Sequence, residues 1–307
     1  MPTDATGEPR TASPVAVGAP GGTGELRAQE TSAAPLVIAP THGWAALRLG
    51  DLWAYRELLY FLTWRDVKVR YKQTVLGVAW AVLQPVLMML IFVLLLGRVA
   101  GLSHDTPDGI PYPLLVFAGL TPWTLFSAGI TAAAAVLVVN ANLVTKVYFP
   151  RLVLPLASAG SFLVDLFLTL LVLLGLMAVY GIYPSWRIVV LPALVLLTLA
   201  ASVGIGTWLT ALNARYRDVR YVVPFLVQIM LFLSPIAYST SRISGQWRWL
   251  YDLNPMVGVI EGFRWALLGL PWTLGWLPVI SVLATVAILV SGVYFFRRLE
   301  RTFADEL

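Results

Sequence analysis

The sequence predicts an all-α integral membrane protein with six transmembrane helices and with both termini in the cytoplasm. Hydrophobic residues make up 59% of the 307 residues, and the mean hydropathy is +0.79. Both values lie far outside the range of soluble domains of this size. The apolar residues are gathered into long stretches, and most basic residues lie between those stretches. Together these observations predict a multi-pass membrane protein.

Six stretches are long enough to cross a bilayer. A hydrocarbon core of about 30 Å takes about 20 apolar residues in a helix, because lipid offers no partner for free backbone groups. Among the six, only the third contains a formal charge, Asp165. The predicted spans are 76–97, 113–139, 152–181, 188–213, 221–241 and 273–296.

The orientation follows from the basic residues, which are retained on the cytoplasmic side of membrane proteins. Placing the N-terminus inside puts most of the 21 Lys and Arg residues in the cytoplasm. The exceptions are Arg98, Arg187, Arg242, Arg248 and Arg264. This distribution favours membrane topology over a nucleic-acid surface, because the charges flank apolar segments and form no basic stripe.

The ends of the chain differ from its apolar body. Residues 1–45 are rich in Ala, Pro, Gly, Thr and Ser and show no apolar periodicity, which predicts a disordered cytoplasmic tail. Residues 46–300 form the predicted transmembrane domain, and 301–307 form a short cytoplasmic C-terminus. Cysteine is absent and the two histidines lie apart, so neither a thiolate nor a histidine metal site is expected.

Residues 52–74 combine charges with aromatic residues immediately before the first span. Charges on every second residue from Asp66 to Lys72 also fit a strand. A helix in the membrane interface is favoured, because the segment leads directly into a spanning helix. Its predicted apolar face, interrupted by Asp66, consists of Tyr55, Leu58, Leu59, Leu62 and Val69.

Two short cytoplasmic connections carry concentrated charge. The segment 140–156 is either a tight turn or a docking element for a cytoplasmic partner. The second connection holds Arg215, Arg217, Asp218 and Arg220 within six residues. It is either an ordinary positive loop or a partner contact.

The region 243–270 is half apolar and lies outside in this topology. Glu261 and Arg264 are three residues apart and can pair on one helical face. A seventh spanning helix would place Arg297 and Arg298 outside, contrary to the charge rule. A re-entrant helical pair is therefore favoured for this region.

Four strings in this order resemble the permease subunits of ABC-2 type exporters of cell-surface polysaccharides, a group that includes O-antigen and teichoic acid exporters. They are LTWRDVKVRYKQTVLGVAWAVLQPVL, LVTKVYFPRLVLPL, NARYRDVRYVVPFLVQIMLFLSPIAY and LNPMVGVIEGFRWALLG. The resemblance covers about residues 45–300.

This resemblance implies a homodimer of six-helix permeases in the bacterial cytoplasmic (inner) membrane. It also implies two copies of a separate ABC ATPase and a lipid-linked glycan as substrate. The sequence contains no G-x-x-x-x-G-K-[ST] phosphate loop, so the chain is expected to hydrolyse no ATP itself. ATP and Mg²⁺ are expected in the partner, with no cofactor in this chain.

The resemblance also assigns roles to particular residues. At the lipid-phosphate entrance on the interface helix it implies Trp64, Arg65, Asp66, Arg70 and Tyr71. At the ATPase coupling helix it implies Asn142, Lys146, Tyr148, Phe149 and Arg151, with Arg215, Arg217, Asp218 and Arg220 nearby. In the re-entrant region it implies Asn254, Pro255, Glu261 and Arg264.

Several interpretations stay open from the sequence. The spanning aromatic residues Trp80, Phe92, Trp123, Phe126, Phe225 and Phe232 either contact glycan or serve packing and lipid contact. Asp165 is either a structural partner for a neighbouring helix or part of a proton relay. The alternatives for function are an ABC-2 exporter of a drug or lipid and a membrane enzyme acting on polyprenyl-phosphate sugars. The enzyme would need clustered carboxylates, whereas Glu57, Asp66 and Asp218 are scattered.

Overall fold

The computed structural model describes residues 53–72, 77–106, 109–238, 240, 251–271, 275–300 and 303. All of them belong to the unit His42–Leu307. Every regular element in this part of the chain is helical, which confirms the all-α prediction. The predicted tail at 1–45, residues 243–250 of the predicted external region and most of 301–307 lie outside the described residues.

The described residues contain ten α-helices, α1 to α10 in chain order. They are α1 (Arg56–Lys72), α2 (Gly77–Phe92), α3 (Tyr112–Val139), α4 (Ala141–Lys146), α5 (Val153–Gly160), α6 (Leu163–Val179), α7 (Leu191–Arg215), α8 (Val219–Phe232), α9 (Pro255–Leu268) and α10 (Leu277–Leu299). A π-helical segment, Val93–Val99, extends α2. Short 3-10 turns lie at Leu102–Asp105 and Trp186–Val190.

Five helical stretches of the described chain are long and apolar enough to cross a membrane. They coincide with five of the six predicted spans: Gly77–Val99, Tyr112–Val139, Val153–Val179, Trp186–Arg215 and Leu277–Leu299. The third combines α5 and α6, which are separated by a short break at Ser161 and Phe162. The interface helix predicted at 52–74 is α1.

The sixth candidate, predicted at 221–241, differs from the prediction. Helix α8 has 14 residues, which cover about 21 Å at 1.5 Å per residue, less than the core of about 30 Å. Residues 233–238 continue without helix. Pro235 has no amide hydrogen to donate, so the helix cannot run through it with its bonds intact. Hydropathy alone did not reveal this break, because the chain stays apolar across it.

Helix α3 occupies the centre of the helical bundle. It is buried along most of its length and packs against α2, α5, α6, α7, α8 and α9. On α7, small residues allow neighbouring helices to approach closely. A Cβ added to Gly292 of α10 would lie 2.2 Å from the carbonyl oxygen of Gly204, so this position requires glycine.

The bundle has two ends with different short helices. At one end, called the α1 end, the side chains of Leu62, Val144, Phe149, Phe296 and Phe303 share one apolar core. At the opposite end, called the α9 end, α9 packs against α3, α7 and α10. Both ends hold residues that the sequence marked as candidates for function.

Candidate functional site

Helix α1 is attached to the bundle through Arg70. Its Nη1 donates to Oδ2 of Asp165 at 2.7 Å, and its Nη2 donates to Oγ of Ser161 at 3.0 Å. The guanidinium carbon lies 3.6 Å from the ring centroid of Phe162. The break between α5 and α6 therefore presents an acceptor and an aromatic face to one arginine of α1.

Tyr71 adds a second contact to the same carboxylate. Its hydroxyl donates to Oδ1 of Asp165. Burial raises the pKa of Tyr71 above its ordinary value, and the hydrogen bond to Asp165 raises it further. The phenol therefore keeps its proton at neutral pH and remains a donor.

Asp165 lies in the first turn of α6, where the helix dipole also favours a negative charge. Its two partners both belong to α1. These contacts support the structural interpretation of Asp165, in which the carboxylate pairs with a neighbouring helix.

The inner face of α1 differs from the predicted face. Val69 is 57% exposed, whereas Asp66 and Arg70 lie on the partly buried side. Asp66 accepts from Arg65 at 2.8 Å, and Arg65 also donates to Oδ1 of Asn140 at 3.0 Å. The other four residues of the predicted face pack in the core of the α1 end, whereas Val69 does not.

The predicted entrance residues therefore separate into two groups. Arg65, Asp66, Arg70 and the hydroxyl of Tyr71 make contacts within the fold. Trp64 is 46% exposed on the outer side. Among the predicted entrance residues, only Trp64 is exposed on the outer side of α1, the side that faces away from the bundle.

Sequence reasoning missed two lysines on this outer side. A groove of about 520 Å³ is lined by Trp64, Val67, Lys68, Tyr71 and Lys72. The ammonium nitrogen of Lys68 lies 5.5 Å from the ring centroid of Trp64, within cation–π range. The four-residue spacing of 64, 68 and 72 could have revealed this face, since residues four apart are neighbours on a helix.

The predicted coupling residues lie on and after α4. Asn142, Lys146 and Tyr148 are exposed, whereas Phe149 is buried. Arg151 is turned towards the end of α10, where it contacts Glu300. The segment therefore has one open side and one side that packs against the bundle.

The charged connection between α7 and α8 is exposed throughout. Arg215, Arg217, Asp218 and Arg220 are all open to solvent. Arg220 donates to the hydroxyl of Tyr221 at 2.8 Å. Because the last turns of α7 share the core of the α1 end, these charges lie at the same end of the bundle as α4.

The α9 end is organised by a buried arginine. Arg264 pairs with Glu261 at 3.1 Å, as the sequence predicted. Its guanidinium also donates to backbone carbonyl oxygens of the chain, and its side chain is 1% exposed. These acceptors belong to Leu115 at 3.2 Å, Ile236 at 2.7 Å and Tyr238 at 3.2 Å.

The carbonyl contacts of Arg264 explain how the break after α8 can be buried. Buried backbone needs hydrogen-bond partners when it leaves the helix. Tyr112 supplies another by donating to the carbonyl oxygen of Ala237 at 2.8 Å. Asn254, the residue before α9, donates to the carbonyl oxygen of Leu233 at 3.4 Å. Side chains of α3 and α9 thus replace the hydrogen bonds that α8 would have made itself.

The ends of α9 follow local sequence signals. The side chain of Asn254 accepts from the amide of Met256 at 3.0 Å, which caps the helix. Pro255 occupies the first turn, where its missing donor costs nothing. Gly269 ends the helix with a φ of 72°, a left-handed conformation that glycine adopts without strain.

The six spanning aromatic residues also fall into two groups. Phe92, Trp123 and Phe126 are buried in the core, and the last two rings lie 5.4 Å apart. For these three the packing interpretation holds in the structure. Trp80 on α2 and Phe225 and Phe232 on α8 are exposed.

Comparisons with known proteins agree with this architecture. Residues 57–268 match the ABC-2 type transporter family. The chain is 33% identical over 216 residues to the O-antigen export system permease protein RfbA of Myxococcus xanthus, covering 70% of this chain and 81% of the relative. It is 27% identical over 255 residues to the protein of the same name from Klebsiella pneumoniae, covering 82% and 95%.

A third relative transports a different polysaccharide. The chain is 28% identical over 208 residues to the polysialic acid transport protein KpsM of Escherichia coli, covering 66% of this chain and 78% of the relative. The family match and the apolar helices identify a multi-pass protein of the inner membrane. The family match spans well over half of the sequence, and the chain belongs to the ABC-2 type transporter family.

Proposed function

We propose that this chain is the permease subunit of an ATP-driven exporter that moves a lipid-linked cell-surface polysaccharide across the inner membrane. The observation that carries this proposal is the similarity to O-antigen permeases from two organisms over 70% and 82% of this chain. The similarity to a polysialic acid transport protein points to the same class of cargo.

The ATPase belongs to a separate subunit in this proposal. The sequence has no phosphate-binding loop of the G-x-x-x-x-G-K-[ST] type, so ATP and Mg²⁺ bind the partner. The exposed residues at the α1 end supply its contact surface. They are Asn142, Lys146, Tyr148, Arg215, Arg217, Asp218 and Arg220.

The lipid phosphate of the substrate meets the outer side of α1. Lys68 and Lys72 border the groove beside Trp64, and ammonium groups bind phosphate oxygens through charge-assisted hydrogen bonds. Exposed aromatic side chains on the same helix, including Tyr60, Phe61 and Trp64, suit the headgroup layer of a bilayer. Arg70, already paired with Asp165, holds the helix in place while the lysines bind.

The topology in this proposal has six crossings and cytoplasmic termini. Helix α8 and residues 233–238 together form the fifth crossing. The connection before α8 lies at the α1 end, and Ala237 contacts Tyr112 at the α9 end of the bundle. Helix α9 belongs to a re-entrant region on the outer side. Its buried Arg264 supports this placement, because it satisfies the carbonyls of a chain that turns back.

A second copy of the chain completes the transport pathway. The exposed apolar faces of α2 and α8 provide the surface between the copies. Trp80, Phe225 and Phe232 lie on those faces and present rings on which pyranose sugars can stack.

The test is reconstitution with a candidate ATPase encoded beside this gene. The two proteins are purified together, placed in vesicles with lipid-linked glycan, and assayed for ATP-dependent movement of the glycan. A partner lacking its catalytic glutamate serves as the matched control. Movement of glycan by this chain alone would contradict the proposal, as would a C-terminus mapped to the outer surface. Movement of lipid or drug but not glycan would favour the other ABC-2 cargo class.

A further inference from the structure

The end of α10 is joined to the segment that follows α4. The amide of Arg151 donates to Oε1 of Glu300 at 3.2 Å, and Nη1 of Arg151 donates to the carbonyl oxygen of Glu300 at 2.6 Å. The guanidinium carbon lies 6.0 Å from the ring centroid of Phe303. Two segments that are 149 residues apart in sequence are thereby held together at the α1 end.

The helix end itself favours this contact. Glu300 follows the last residue of α10, where backbone carbonyls have no partner within the helix. A cation at this position satisfies a carbonyl and also interacts favourably with the helix dipole. Arg151 therefore completes the last turn of α10 from a different part of the chain.

Phe303 joins the same two segments through apolar contact. Its side chain is fully buried, and its ring lies 5.2 Å from that of Phe296 at an interplanar angle of 64°. Val144 and Phe149 belong to the same core. An edge-on aromatic pair in a buried setting stabilises this packing beyond its area alone.

The other side of the segment after α4 is open. Tyr148 is 91% exposed, whereas its neighbour Phe149 is 5% exposed and faces the core. A partner protein that touches Tyr148 therefore lies one residue away from a side chain that packs with the chain terminus. The segment 147–151 separates the proposed ATPase surface from Glu300 and Phe303.

We propose that Glu300 and Phe303 transmit movement of the ATPase-facing segment 141–151 to α10, as positioning residues for transport. This inference rests on the proposed function. A shift of the segment cannot keep both hydrogen bonds of Arg151 unless Glu300 follows, and packed cores tend to move between discrete arrangements. Both residues lie beyond the matched residues 57–268, so the family match does not assign them this role.

The experiment compares hydrolysis with export in the full complex. Glu300→Ala removes the acceptor for the amide of Arg151, and Phe303→Leu keeps an apolar side chain but removes the ring. The exposed Arg298, which lies on the same helix end, gives the matched control Arg298→Ala. Each variant is purified with the ATPase partner, and complex yield, ATP hydrolysis and glycan export are measured on the same samples.

We expect the Glu300→Ala and Phe303→Leu complexes to form in normal yield and to hydrolyse ATP within about twofold of the unaltered complex, while the export per ATP falls about tenfold. Glu300→Gln, which retains an acceptor oxygen, should restore most of the export per ATP, and Arg298→Ala should leave the export per ATP unchanged.

The inference would be overturned if the export per ATP stayed unchanged in both Glu300→Ala and Phe303→Leu, including the case in which export and hydrolysis fall together. Loss of complex yield in both variants would also overturn it, because the residues would then serve assembly. Absence of ATP-dependent export by the unaltered complex would instead overturn the proposed function.

Discussion

Two short helices are fastened to the bundle by an arginine, but in different environments. At the α1 end, Arg70 pairs with Asp165 while its side chain is 30% exposed. At the α9 end, Arg264 pairs with Glu261 while its side chain is 1% exposed. Arg70 bonds to side chains, whereas Arg264 also bonds to backbone carbonyls. Water can therefore reach the ion pair that attaches α1, whereas the ion pair that attaches α9 is buried and also satisfies backbone carbonyls.

The energetic difference follows from solvation. Water can replace the contacts of a partly exposed ion pair when it opens, so its loss costs less than the loss of a fully buried pair. A buried arginine that is removed leaves a carboxylate and several carbonyls without partners, which costs far more. We therefore expect the fold to tolerate loss of the Arg70 pair at α1 better than loss of the Arg264 pair at α9.

The largest effect is expected from Arg264→Ala. Breaking a buried ion pair by removing one partner costs about 3–5 kcal/mol, so the variant should fail to accumulate as a folded chain in the membrane. Membrane-fraction yield and thermal melting in detergent measure this loss. The exposed Arg98 provides the matched control Arg98→Ala, and equal stability of the two variants would contradict the comparison.

A smaller effect is expected where α3 meets the chain break. A Cβ added to Gly119 would lie 3.2 Å from Cα of Ile236 and 3.3 Å from Nη2 of Arg264. Gly119→Ala should therefore lower the free energy of unfolding by about 1–3 kcal/mol through overpacking.

The control for that change is Gly175→Ala, because a Cβ on Gly175 of α6 meets nothing within 4 Å. This control should match or exceed the stability of the unaltered chain, since alanine favours helix over glycine. Equal melting temperatures for the two variants would remove the argument for close packing around Arg264.

The attachment of α1 is tested with a double-mutant cycle on Arg70 and Asp165. Each single change, Arg70→Ala or Asp165→Asn, should cost about 1–2 kcal/mol, and the double variant should cost little more than either. Thermal melting of detergent-solubilised protein supplies the free energies. Additive costs would show that the two residues do not act as a pair.

Transport provides a second readout for the same residues. Because the carboxylate of Asp165 is paired with Arg70 and Tyr71 of α1, we expect Asp165→Asn to retain most ATP-driven export when the complex is assayed below its melting temperature. Abolished export with intact ATP hydrolysis and a folded complex would favour a proton relay.

The smallest effect is expected from Tyr71→Phe, which removes one hydrogen bond to Asp165. Its loss should cost about 0.5–1.5 kcal/mol near neutral pH. The pKa of Tyr71 is raised in the folded state from 10.0, so its contribution is complete below pH 10 and is lost as the pH rises further. The difference in melting temperature between the two proteins should therefore shrink above pH 10, and a difference independent of pH would contradict this account.

Five spanning helices could be predicted because long apolar stretches report directly on membrane crossing. The pairing of Glu261 with Arg264 was also predictable, since it depends on local helical spacing. The end of α8 was not predicted, although Pro235 lies three residues beyond it, because the chain remains apolar past Phe232 and the hydrogen bonds that permit the break come from distant side chains.

The polar contacts at the α1 end show the same limit. Arg70 and Asp165 are 95 residues apart, and no local sequence pattern predicts that they form a pair. The helical periodicity of α1 grouped Val69 with the residues that pack on the core, whereas its side chain is 57% exposed in the structure. Lys68 and Lys72 were overlooked because their common groove depends on how α1 is rotated against the bundle.

The buried ring of Phe303 has a practical consequence for anyone handling this protein. Its side chain is 0% exposed and packs against Phe296, so an affinity tag or a fluorescent label inserted beside Phe303 would disturb the core of the α1 end.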